Sequence, residues 1–137
     1  MIKWNTIGEI EHGDYPYEDA VIKTDMLNGD FGTVTDGEFS RGADSLKAIM
    51  LVETGDDMDM PEYKIPAGSH VRVVDLAKRN GQLVEVYGAQ LPATFAVDGQ
   101  FISDANGKLV TASAAPYLKV TKIIGNKLGF VAKIVAE

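Results

Sequence analysis

The chain has 137 residues, 45% of them hydrophobic, which suits one domain with a filled core and argues against wholesale disorder. Its 13 Lys and Arg against 20 Asp and Glu leave a net charge of −7, unfavourable for a protein that lives on nucleic-acid phosphates or an anionic membrane. Cysteine is absent, which removes disulfide frameworks, thiolate zinc sites and thiol nucleophiles, and no apolar run reaches the roughly 18 residues of a membrane span.

Met1 to Asp19 reads as an extended arm, because Trp4, His12, Tyr15, Pro16 and Tyr17 stand among Glu9, Glu11, Asp14, Glu18 and Asp19 with little periodicity. Two readings fit it. One is an edge strand and loop lying on the chain's own domain, as loosely tied termini often do. The other is an arm that docks on another subunit, with Trp4, Tyr15 and Tyr17 as aromatic anchors. Met1 to Asn5 lacks the charged-then-apolar design of a signal peptide, so a soluble protein outside the usual export route is expected.

From Ala20 to Glu137 the expectation is a single β domain. Asn28-Gly29, Asp36-Gly37, Asn80-Gly81, Asp98-Gly99 and Asn106-Gly107, with Gly125-Asn126 in reverse order, supply the positive φ that tight turns need. Asp44 to Glu53 is either a short helix capped at Asp44 or a strand from Leu46 or Lys47, and its compact apolar run favours the strand. Lys64 to Gly68 reads as a strand end and a turn, since proline fixes φ and removes a donor. Strands follow at Val71 to Ala77, Gln82 to Tyr87, Phe101 to Ser103, Lys108 to Ala112, Leu118 to Ile124 and Leu128 to Val135. In the last, Leu128, Phe130, Ala132 and Ile134 share the face expected to be core. The Val73-Val74 doublet breaks the two-residue period and suggests a bulge. The economical architecture is all-β: a small antiparallel β-sandwich or barrel with an extended N-terminal arm.

Chemistry-bearing patterns are sparse. The histidines are His12 in the arm and His70 at a strand start, and the neighbouring Ser69 and His70 point to opposite faces of a strand rather than at each other. Glu53, Asp56, Asp57, Asp59 and Glu62, interleaved with Met58, Met60 and Pro61, offer the best set of oxygen ligands for a hard cation. Counted from Asp57, however, the sixth position of a calcium loop is Glu62 where glycine is required. A solvated acidic loop or a contact surface, to which the adaptable thioethers of Met58 and Met60 are suited, accounts for the same residues, and no metal is expected. Asp75 and Glu85 on adjoining strands are a possible carboxylate pair, of a kind common on solvent faces. No phosphate-loop or dinucleotide motif occurs, so no cofactor is expected. Lys78-Arg79 is placed at a hairpin tip, and Lys119, Lys122, Lys127 and Lys133 look like ordinary surface lysines.

Four stretches carry a likeness: Asp25 to Thr35, Lys64 to Val74, Phe101 to Val110 and Leu128 to Val135. With the acidic, cysteine-free composition, these glycine-punctuated strands resemble the capsid decoration, or cement, proteins of tailed bacteriophages, over roughly Ala20 to Glu137. The resemblance implies a non-enzymatic virion component on the capsid exterior, made in the bacterial cytoplasm. It implies that the partner is the major capsid protein, that the chain is a homo-oligomer, often a trimer, and that it reinforces the shell. Trp4, Tyr15 and Tyr17 are then the expected arm contacts, with Met58 and Met60 as a secondary surface. The alternative is a carbohydrate-binding or adhesive β-module of a head fibre or tail, to which Tyr63, Tyr87 and Tyr117 could contribute an aromatic face.

Overall fold

The computed structural model describes residues 2–4, 17–50 and 64–136. The strands in chain order are β1 (Ile2–Trp4), β2 (Tyr17–Ile22), β3 (Met26–Leu27), β4 (Phe31–Thr35), β5 (Glu38–Arg41), β6 (Lys47–Ile49) and β7 (Lys64–Ile65). They continue with β8 (His70–Asp75), β9 (Leu83–Tyr87), β10 (Gln100–Ser103), β11 (Leu109–Thr111), β12 (Tyr117–Ile124) and β13 (Gly129–Val135). The all-β expectation holds, and of the two expected architectures the barrel is present, with further sheets beside it. β2-β5-β4-β6-β8 close into a barrel, and β1-β9-β13-β12-β10-β11 form a six-stranded sheet. A two-stranded β3-β7 ribbon completes the described structure.

Local chemistry sets the barrel's hairpins. β4 and β5 are joined by Asp36 and Gly37 at φ 53 and 77, the doubly positive turn that matches the twist of paired strands. Gly32 on β4 admits no side chain, because a Cβ there would run into the carbonyl of Ser40 on the neighbouring strand. The segment around Asp44 is a turn with φ 56 at that residue, and the strand begins at Lys47, so the strand reading of this ambiguous stretch is the observed one. Closure itself uses a parallel contact: Val21 and Ile22 of β2 pair with Glu38 and Phe39 of β5. The ladder is therefore antiparallel at every other seam of the barrel and parallel at this one.

The barrel has its own apolar interior, and the outside of its wall shares a second core with the sheet. Ala20, Ile22, Phe39, Ile49, Val71 and Val73 fill the inside of the barrel. Tyr17, Phe31, Ala48 and Val74, on the other side of the barrel wall, pack with Val84, Val86, Leu118, Phe130 and Ile134 of the sheet. The Val73-Val74 doublet follows from this arrangement. Both residues are buried because β8 is a wall between two cores, and its pairing with β2 and β6 runs without a register shift, so the expected bulge is not there. The bulge lies instead in β12, between Val120 and Lys122.

Three other expectations are corrected. Leu128 is 68% exposed in the β12–β13 turn, while Phe130, Ala132 and Ile134 are core as expected. Lys78 and Arg79 belong to a 3-10 turn, Leu76–Arg79, that carries the chain out of the barrel into the sheet, where Gly81 donates to the Ile134 carbonyl. β8 and β9 consequently lie in different sheets, and Asp75 and Glu85 are not neighbours across a ladder. The Asp75 carboxylate instead caps the 3-10 turn, accepting from the Ala77 amide at 3.1 Å.

Candidate functional site

The six-stranded sheet has one face on the core and one face away from it. Val84 and Val86 of β9 and Phe130, Ala132 and Ile134 of β13 point inward, which leaves Leu83, Glu85, Tyr87, Val131, Lys133 and Val135 on the outer side. In β12, Leu118 and Val120 point inward, and strict alternation would send Lys122 after them. The additional residue, Thr121, prevents this: Lys122 pairs with Val131 and Ile123 with the buried Phe130, so Lys122 returns to the outer face. Thr121 Oγ1 donates to the Val131 carbonyl at 3.2 Å, within the bulge itself.

The resulting outer face places Lys119 directly across from Lys133, with Lys122 opposite Val131 one pair further along. Leu83 flanks Lys133, and Glu85 flanks Val131. Lys122 and Lys133 are exposed. Lys119 Nζ lies 3.8 Å from Asp98 Oδ1, a contact between half-exposed and exposed groups. Glu85 accepts a hydrogen bond from the Tyr87 hydroxyl. Desolvation, followed by that bond and the charge of Glu85, pushes the Tyr87 phenol up to about 12.

The expected contact residues are distributed unevenly. Trp4 is the last residue of β1, which pairs with β9 at the edge of the sheet, with Trp4 across from Val84 and Ile2 across from Val86. Tyr17 opens β2 and is buried in the chain's own core, its hydroxyl 3.7 Å from Met50 Sδ. Tyr15, Met58 and Met60 lie outside the described residues, as do His12, Tyr63 and the carboxylates from Glu53 to Glu62. Among the described residues no group of three or more His, Asp or Glu side chains could hold a metal ion. Tyr87 and Tyr117 sit at opposite ends of β13, across from Gly129 and Val135, about 20 Å apart at the usual strand rise, so they do not form one aromatic platform.

A second polar centre, buried and not singled out in the sequence, is Asp30. Its carboxylate has no exposure and accepts from Arg41 Nε at 2.9 Å, Gln90 Nε2 at 3.0 Å, the Leu27 amide at 2.9 Å and Lys108 Nζ at 3.4 Å. Arg41 comes from the barrel, whereas Gln90 and Lys108 come from loops of the sheet, so this one side chain ties the two halves together. A second bridge runs through Ser103 Oγ, which donates to the Gly42 carbonyl at 2.8 Å and accepts from the Ser45 amide at 2.9 Å. No buried side-chain polar atom of Asp30, Arg41, Gln90 or Lys108 lacks a partner, as a structural tie requires. At the barrel rim a pocket of about 150 Å³ opens between Lys23, Met26, Glu38 and Arg41, well below the roughly 300 Å³ at which small-molecule sites begin. No protein-family model and no curated protein matches this chain.

Proposed function

We propose that this protein is a structural component of a tailed-bacteriophage head that binds the outside of the assembled shell and stabilises it. The reading starts from the likeness of its glycine-punctuated strands to decoration proteins. The observation that carries it furthest is the position of the first strand. Ile2–Trp4 pairs along the edge of the six-stranded sheet, which puts Trp4 at a sheet margin. A body whose barrel and sheet share a core and a buried Asp30 hub suits a part that must transmit load. Binding to the assembled shell alone stabilises that shell by linkage, and a trimer engaging several sites adds effective concentration to modest single contacts.

In this reading the major capsid protein is the partner, and Trp4, Tyr15, Met58 and Met60 contribute contacts. Tyr17 is held in the chain's own core and is not among these contacts. The test is peptide mass spectrometry on gradient-purified particles from the source, with copy number measured against the major capsid protein. A copy number comparable to that of the shell protein is expected. A few copies per particle, or none, would overturn the reading in favour of a fibre, a tail part or a free binding module.

A further inference from the structure

The outer face of the six-stranded sheet is an arrangement that folding does not require. Like charges placed directly across an antiparallel ladder are destabilising, yet Lys119 and Lys133 occupy such a pair. The bulge at Thr121 then brings a third lysine, Lys122, to the same face, where an uninterrupted strand would have directed it toward the core. Among the described residues Asp98 is the one carboxylate in ion-pair distance of this group, and it reaches Lys119 alone. Glu85, the acidic residue nearest on the neighbouring strand, is hydrogen-bonded by Tyr87. A concentration of positive charge thus stands on one face of a chain whose net charge is −7.

We propose that this face is a docking surface for a carboxylate-rich protein surface, with Lys119, Lys122 and Lys133 as its charged centre. Two features select a protein over a polyphosphate. Three lysines neutralise few phosphates, so the counterion release that drives nucleic-acid binding is small here. The lysines also stand beside the half-buried Leu83 and Val135, the mixture of apolar surface and charge that a protein interface uses. An acidic partner satisfies the lysines, removes the repulsion across the Lys119–Lys133 pair and covers Leu83 and Val135 beside them. The chemistry also sets the kinetics: charge complementarity of this kind speeds encounter and makes binding sensitive to salt. The proposal goes beyond the shell reading by naming the face and the charge of what meets it. Its test uses the free chain, so its failure leaves the shell reading standing.

The probe is fluorescently labelled poly-L-glutamate, with binding to the full chain followed by anisotropy at low ionic strength. The triple variant Lys119→Gln, Lys122→Gln, Lys133→Gln should lose affinity by roughly tenfold or more. The charge-matched control Lys23→Gln, Lys64→Gln, Lys78→Gln, at exposed lysines elsewhere, should stay within about threefold. Equal losses in the two variants would mean non-specific attraction and would overturn the proposal. So would binding of a single-stranded oligonucleotide of equal charge as tightly as the polyglutamate. A second measurement guards against a folding artefact: Lys133→Gln alone should melt at the same temperature as the parent or higher, because it relieves repulsion. A clear fall in its melting temperature would show that Lys133 serves the chain's own stability and would overturn the assignment.

Discussion

Asp30 shows how one side chain can hold two sheets together. Its carboxylate is fully buried, and its partners come from β5, from the loop after β9 and from the residue before β11. Asp30→Ala would remove the acceptor of the Leu27 amide and the counter-ion of Arg41 and Lys108, which are 35% and 32% exposed, and a loss of about 1–3 kcal/mol is expected in denaturant unfolding, the range for leaving a buried polar group unsatisfied. The nearby Gly107 is constrained for a different reason. It has φ 75, and a Cβ there would stand 2.9 Å from the Phe31 carbonyl, so Gly107→Val should also destabilise, by roughly 1–3 kcal/mol in the same measurement. Tyr87 gives a pH signature. Its phenol is raised from 10.0 to about 12 in the folded chain, so the neutral form is favoured by folding. The contribution is complete below pH 10 and is lost as pH rises through 12, because the unfolded chain releases the proton first. In a phenolate-absorbance titration one tyrosine should ionise near 12, and Glu85→Gln should bring that transition down toward 10. At the acid end the Asp25 carboxyl is lowered, chiefly by the Ala67 amide donating to it at 2.8 Å.

β12 carries the clearest lesson about elements. Counted back from the Ile124–Gly129 pair, a regular hairpin would set Lys119 opposite Ile134. The additional residue Thr121 moves the partner to Lys133, and the lysine face depends on that shift. Nothing in the string Tyr117 to Ile124 announces it, because a bulge depends on the pairing of two strands and not on the residues of one. Deleting Thr121 should leave both faces in phase, since Lys122 would then follow Val120 on the outer side. The variant should still unfold cooperatively, with its melting temperature lowered by only a few degrees, about 1 kcal/mol for a domain of this size. Deleting Val84 from the regular β9 should instead turn Glu85 into the core and abolish the folded near-ultraviolet circular dichroism. Turn chemistry was more legible. Asp36-Gly37, Asn106-Gly107 and Gly125-Asn126 each sit in a hairpin connection as their residue types demand, whereas Asn80-Gly81 turns the chain between two sheets. A Gly-containing dipeptide specifies a turn, and which strands that turn joins is settled by distant contacts.

At the scale of the whole molecule, barrel and sheet should unfold as one unit. Phe31, Leu46, Ala48, Val74 and Leu76 from the barrel side pack in the same cluster as Val84, Leu118, Phe130 and Ile134 from the sheet. Differential scanning calorimetry should show a single transition whose calorimetric and van't Hoff enthalpies agree, and a fragment of residues 80–137 should not fold alone. Two separate transitions would contradict the shared core. The sequence by itself determined the all-β class, the position of most strands after residue 70 and the core face of β13, because these follow from local turn chemistry and two-residue alternation. It pointed to a bulge at Val73 and Val74 that is not there, since a strand buried on both sides has no alternation to read. Asp30 was not singled out and Lys119, Lys122 and Lys133 passed as ordinary surface residues, because their meaning comes from which strands lie side by side. Barrel closure through the parallel β2–β5 contact, the division of the strands between two sheets and the lysine face were decided only by tertiary structure, where residues distant in the chain compete to bury apolar area and satisfy each other's charges.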